Sequence, residues 1–300
     1  MVKKNPVILV LVTALVLGAL FFGILIAADR LSGRRGVRGL PVVGADKIAL
    51  VKIEGVLLLS DPVVEEIRSY AEDSSIKAIV IRIDSPGGGV VPSQEIYNAV
   101  KNARKEGKKV IVSMGSVAAS GGYYIAAAAD KIVANPGTLT GSIGVKMEFA
   151  NLEKLLEKIG VKGMVVKSGE YKDIGSPYRE MTEQEHKLLQ NVIDDVHSQF
   201  IKAVAEGRSI PEADVRGIAD GRIFTGQQAL GLKLVDQMGD LADSIQVAGA
   251  LVGIKGKPTI VEKKKKNPFF EYLKEESAAW VGDVVQKAAG SAVKLQYLYH

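Results

Sequence analysis

Apolar and polar positions fall into three regimes along the chain. From Pro6 to Ala28 runs a stretch of 23 residues without a charge, rich in Val, Leu, Ile and Phe. At about 1.5 Å per residue it is long enough to cross a hydrocarbon layer of roughly 30 Å, which predicts one transmembrane helix. The competing reading is a cleaved secretory leader ending at Ala27 and Ala28, but leaders have apolar regions of only about 7 to 15 residues. From Lys47 onward, short β-branched runs alternate with segments apolar at helical spacing. Residues 47–53, 78–83 and 110–112 read as strands; 62–71 and 92–104 read as helices, each with Pro near its first turn. Further on, the pattern predicts a helix from Ser120, a strand over 143–147 and a helix over 151–159. A long helix over 182–206 follows, opened by a capping box from Thr182 to Glu185, and then strand, helix and strand over 222–236.

Strands alternating with helices imply an α/β fold, a parallel sheet with crossover helices. The third regime starts near Pro258, where Lys263 to Lys266 precede a weakly amphipathic tail. That tail reads as a solvated, partly disordered extension. Alternatively it is an arm that docks on a neighbouring subunit or the membrane surface through Phe269, Phe270, Tyr272 and Trp280. The expected organisation is a basic flank (1–5), an anchor (6–28), a linker (29–45), a globular domain (46–257) and the extension (258–300).

Hydrophobic residues at 47% and charged residues at 24% exclude collagen-like, wholly disordered and disulfide-scaffold classes. With no cysteine there is no thiol nucleophile, no Cys-based zinc site and no disulfide. The net charge of +5 belongs to residues 1–45; residues 46–300 carry 33 basic and 33 acidic side chains. The body is neutral, so nucleic acid is not an expected partner.

Candidate chemistry begins where the strand ending at Ile83 runs into DSPGGGVVPS, residues 84–93. Three successive glycines leave backbone amides bare, free to face another chain or a negative oxygen. The loop lacks the Lys and Ser/Thr of a phosphate-binding loop and the glycine spacing of a dinucleotide site, and a plain turn remains open. The next strand leads to ASGGYYIA, with Ser120 at a strand-to-helix junction beside helix-terminal amides. There Ser120 is either a nucleophile or an ordinary helix N-cap. Of the three histidines, His300 is terminal, while His186 and His197 share one helical pattern and read as residues of a helix face. A lysine whose ammonium form is disfavoured by burial is the remaining type of base. Lys172, in the irregular stretch SGEYKDIGSPYR, is the candidate, against the common role of lysine as a surface solvator.

DSPGGG (84–89), ASGGYYIA (119–126), TGSIGV (140–145) and YKDIGSPYR (171–179) together resemble the signal peptide peptidase A family, in its short single-repeat form. The resemblance covers roughly residues 46–250 and makes 46–257 a catalytic peptidase domain. It implies a fold of the Clp-protease and crotonase type and a serine protease with a Ser-Lys dyad, Ser120 as nucleophile and Lys172 as general base. It further implies oxyanion-hole amides from Gly88 and Gly121, and a hydrogen bond from Ser142 that orients the lysine. Gly87 and Gly89 would border a groove in which substrate lies extended, as an added strand. Clp proteases use Ser-His-Asp, but where their histidine would fall this chain has Gly144, Val145 and Lys146. No metal or other cofactor is expected.

The partners implied are peptide substrates, remnant signal peptides in or near the bilayer; membrane lipid, through the anchor; and further copies of the chain, in a ring- or dome-shaped homo-oligomer. Two lysines precede the apolar run and four arginines follow it, which mildly favours a cytoplasmic body. Family members place this domain outside the cytoplasm, and large domains cross regardless of flanking charge, so a single-pass cell-membrane protein with an extracytoplasmic domain is expected. Two other classes compete: a crotonase-like acyl-CoA enzyme, and a non-catalytic membrane-anchored scaffold.

Overall fold

The computed structural model describes residues 46–263. The anchor, the linker and residues 264–300, including most of the expected extension, lie outside the described residues. Among the described residues no helix is long and apolar enough to cross a membrane.

The chain begins with strand β1 (Lys47–Glu54), helix α1 (Asp61–Glu72), β2 (Ile76–Ser85), α2 (Val90–Lys105) and β3 (Lys109–Ala119). Each helix shows why it forms. In α1, Asp61 and Pro62 open the first turn and Ile67 and Ala71, four apart, are buried. In α2, Ser93, Ile96, Tyr97, Val100 and Ala103 make one buried stripe and Arg104 and Lys105 close the last turn. Strand β1 pairs parallel with β2, Ile48 opposite Ala78 through Ile53 opposite Ile83, and β2 pairs parallel with β3.

Alternate residues of these strands serve two cores. Ala49, Val51, Ile53, Ile79, Ile81, Ile83, Val110 and Val112 face the larger core. Ile48, Leu50, Ala78, Val80 and Ile111 face the smaller one, with Ile245 and Ala248 of a late helix, α8 (Leu241–Leu251). Burial on both faces accounts for the near-continuous apolar run AIVIRI, where a sheet with one wet face would alternate.

After β3 come α3 (Gly121–Ala126), β4 (Lys131–Ala134), β5 (Leu139–Gly141), α4 (Glu153–Lys158) and the long α5 (Glu183–Arg208). Then follow α6 (Glu212–Arg216), β6 (Ile223–Thr225), α7 (Gly226–Gly231), β7 (Gln237–Met238), α8 and β8 (Thr259–Glu262). The sheet order is β6-β5-β3-β2-β1-β8, with β4 on β3 and β7 on β4; all pairs are parallel except β5 with β6. This is the expected α/β fold with a mostly parallel sheet.

Three local expectations are corrected. No strand forms over 143–147: β5 ends at Gly141, where φ of +78° at Gly141 and +50° at Ser142 turn the chain out of the extended region. The second strand expected within 222–236 lies at β7 instead, because the chain first turns at Lys233, with φ of +60°. Thr259–Glu262, assigned by pattern to the extension, forms an edge strand on β1. The capping box on α5 is present: the Thr182 hydroxyl accepts from the Glu185 amide at 3.2 Å and the Glu185 carboxylate accepts from the Thr182 amide at 2.9 Å.

Between β5 and α5 the chain makes an excursion that buries little. No residue of α4 is buried, and Met164 and Val166 are 90% and 96% exposed.

Candidate active site

Ser120 stands between the end of β3 and the first turn of α3. Its backbone has φ of +52° and ψ of −119°, a region that L side chains rarely adopt. Two bonds hold it there: its amide donates to the Gly141 carbonyl at 2.9 Å, and its carbonyl accepts from the Tyr124 amide at 2.8 Å. The hydroxyl makes no capping bond to α3, so the ordinary N-cap role is not the one observed.

The glycine loop is shaped to fit against this serine. A Cβ on Gly87, where φ is +99°, would lie 2.7 Å from the Gly121 amide nitrogen and 2.9 Å from Ser120 Cβ. A Cβ on Gly88 would lie 2.4 Å from the Leu57 carbonyl oxygen. Leu57 bridges the loop like a short strand, its amide donating to Gly87 O at 2.9 Å and its carbonyl accepting from Gly89 N at 2.8 Å. Among the described residues the Gly88 amide has no acceptor, and the Gly121 amide, first in α3, has none within its helix. Asp84 anchors the loop from the other side, since its carboxylate accepts from the Val117 amide at 3.0 Å where the β2–β3 register slips.

These pieces surround a cavity of about 630 Å³, within the range of small-ligand and peptide sites. Ser120, Gly88, Gly121 and Ser142 all line it, with Tyr124, Lys146 and, from α5, Gln190, Asp194, His197 and Phe200. Tyr124 packs edge-on against Tyr97 of α2 and at a tilt against Phe200 of α5, with ring centroids 5.0 and 4.9 Å apart, and so joins the three helices at the cavity wall. Gly87, which packs closely on Ser120 and Gly121, and Gly89, whose amide donates to the Leu57 carbonyl, are not among the residues that line the cavity. Among the described residues no cluster of His, Cys, Asp or Glu is arranged to hold a metal ion.

Lys172 is placed differently. It lies on an exposed turn of the excursion and is not among the residues that line the cavity. Within one chain Ser120 and Lys172 are therefore not brought together in that cavity. His197, read from sequence as a helix-face residue, lines the cavity instead, and its Nε2 is buried without a partner among the described residues. The signal for it was present: His197 lies four residues after Ile193 and three before Phe200, on the stripe of α5 that faces inward.

Several known proteins resemble this chain. The profile of peptidase family S49 matches residues 102–255, and that of Clp protease matches residues 58–138. A putative protease of Synechocystis is 48% identical over 209 residues, covering 69% of this chain and 75% of that protein. A putative signal peptide peptidase SppA of Enterococcus faecium is 35% identical, covering 75% of this chain and 63% of that protein. Protease 4 of Haemophilus influenzae is 34% identical, and the match spans 35% of its length. Among solved structures, a point mutant of the 1510-N membrane-bound stomatin-specific protease superposes with a TM-score of 0.51 at 15% identity, covering 74% of this chain and 99% of that one. That likeness concerns the fold. A strained serine beside two free amides, on a Clp-type sheet, is thus accompanied by direct sequence kinship, and the chain belongs to peptidase family S49 as a serine peptidase of the SppA type.

Proposed function

We propose that this protein is a membrane-anchored endopeptidase that cleaves remnant signal peptides, or other extended apolar peptides, with a Ser120–Lys172 dyad on the outer side of the cell membrane. The observation that carries the reading is that Ser120, its hydroxyl free of capping, lines one cavity together with Gly88 and Gly121. Lys172, as the free amine, takes the Ser120 proton, and the alkoxide adds to a peptide carbonyl. The oxyanion is held by the two glycine amides. The C–N bond then breaks, Lys172 returns the proton to the leaving amine, and an acyl-enzyme remains. Lys172 next deprotonates a water that attacks the ester, and the proton returns to Ser120.

Because Lys172 is exposed and outside the Ser120 cavity of its own chain, the dyad is completed between copies, Lys172 of one entering the cavity of another. Exposed Met147, Phe149, Leu155, Met164 and Val166 on the same excursion give that contact an apolar surface. The uncharged run from Pro6 to Ala28 supplies the anchor. Family membership sets aside the acyl-CoA and scaffold readings. A second reading, with His197 as a base within one chain, is favoured by its buried, unpartnered Nε2 at the cavity.

The test is hydrolysis of a synthetic signal peptide by the full chain in detergent. Ser120→Ala and Lys172→Ala are each expected to be inactive, and a mixture of the two to regain part of the activity. No recovery on mixing would reject completion between copies. An inactive His197→Ala beside an active Lys172→Ala would transfer the role of base to His197.

A further inference from the structure

The turn that carries Lys172 is tied down on both sides of that residue. The Tyr171 hydroxyl, on one side, accepts from Gln184 Nε2 at 2.6 Å. On the other side, the Asp173 carboxylate accepts from Arg179 Nε at 3.0 Å and Nη2 at 2.9 Å, and from Lys167 Nζ at 2.7 Å. The same guanidinium donates to Glu185 Oε2 from Nη1 at 2.8 Å and to Glu185 Oε1 from Nη2. Glu185 is only 3% exposed and belongs to the first turn of α5, where it also completes the capping box. One planar cation therefore joins the carboxylate next to Lys172 to the helix whose later turns wall the Ser120 cavity.

Two features separate this clamp from an ordinary surface ion pair. Isolated surface pairs hold geometry weakly, whereas a guanidinium paired through two nitrogens at each end fixes both direction and distance. Apolar packing is also a poor alternative here, since the excursion from residue 146 to 180 buries few side chains. The direction of the Lys172 turn is set by polar bonds, most of which converge on Arg179.

We propose that Arg179 is a positioning residue for the peptidase reaction: it holds the Lys172 turn against the first turn of α5, so that the amine is presented in one direction. This rests on the reading of Lys172 as the base, because Arg179 acts through it and touches no substrate. Lysine in its place keeps the charge but loses the fork, and cannot bridge two carboxylates in the same geometry.

The test measures kcat and KM of the full chain on a synthetic signal peptide for Arg179→Gln, Arg179→Lys, Asp173→Asn and Lys172→Ala. Arg179→Gln is expected to lower kcat by about 100-fold with KM within about twofold, as a misplacement near 1 Å would. Arg179→Lys should recover part of that loss. The Lys172→Ala/Arg179→Gln double variant should be no worse than Lys172→Ala alone, since both changes remove one function. Full kcat in a folded Arg179→Gln, beside an inactive Lys172→Ala, would overturn the clamp and leave the dyad standing. An active Lys172→Ala would remove the dyad itself. If Arg179→Gln does not fold, Asp173→Asn, which keeps the bond from Arg179 to Glu185, decides: a fall in kcat at constant KM supports the proposal, and an unchanged kcat overturns it.

Discussion

Ser120 and Ser142 share one backbone peculiarity and one link. Each is held at a positive φ, +52° and +50°, and the Ser120 amide donates to the carbonyl of Gly141, the residue before Ser142. Among the described residues only four non-glycine positions have positive φ, and these two both line the cavity. Strain is thus concentrated where a hydroxyl must be lifted from the regular path of strand and helix.

That strain predicts a trade of activity for stability. Ser120→Gly should abolish peptide hydrolysis while raising unfolding free energy by about 1 kcal/mol, since glycine adopts positive φ at little cost. Thermal or denaturant unfolding beside the activity assay checks it, and a destabilised Ser120→Gly would contradict it.

The glycine loop predicts a sharp contrast between two similar substitutions. Gly87→Ala would push a methyl group to 2.7 Å from the Gly121 nitrogen, and kcat is expected to fall by about 100-fold or more as Ser120 and the Gly121 amide shift. Gly107→Ala has a comparable φ of +89° but nothing within 4 Å, so it should cost about 1 kcal/mol of stability and leave kcat unchanged. Equal effects on kcat would mean that close approach at Gly87 is not what matters.

Acid should loosen the Arg179 clamp. The Arg179 guanidinium and then the Thr182 amide hold the Glu185 carboxyl down to about 2 from its ordinary 4.5. Arg179 and then Lys167 likewise hold Asp173 well below the usual carboxylate range. A carboxyl depressed in the folded state stabilises fully above its unfolded value and loses that contribution as pH falls through the folded one. Protection of residues 171–185 from hydrogen exchange should therefore be constant above about pH 4.5 and decline toward pH 2. In Glu185→Gln this decline should be shallower; an identical decline would place the titrating group elsewhere.

Phe200 closes the aromatic wall, so Phe200→Ala should cost about 3 to 5 kcal/mol in unfolding free energy. The space opened beside Tyr124 should admit bulkier side chains at the cleavage site. Competition between peptides with alanine and with leucine at that position reads this out. A preference unchanged from wild type would show that the side chain binds elsewhere in the cavity.

Much of the fold was legible because it is local. The β-branched runs of β1 and β2, Pro62 opening α1 and the Thr182–Glu185 box on α5 are short-range signals, each acting within a few residues of chain. The strand expected at 143–147 failed because Gly141 and Ser142, both at positive φ, turn the chain before Ile143. The apolar pattern of Ile143 and Val145 does not show that turn, whose Ser142 amide donates to the Arg222 carbonyl at 2.8 Å, eighty residues away and just ahead of β6. Residues 259–262 look like part of a charged tail and become a strand only because β1 offers an open edge.

The same division runs through the site. Residue types and motifs carried the serine, the glycine amides and the membership in a peptidase family, since an elbow and a bare glycine loop are written in a few adjacent residues. Folding added what no window of sequence contains. It brought the Leu57 backbone against Gly88, turned His197 inward beside Phe200, set Lys172 apart from Ser120 and joined its turn to α5 through Arg179. Each of these depends on which distant segments share a surface, and that is settled by the packing of the whole sheet and its helices.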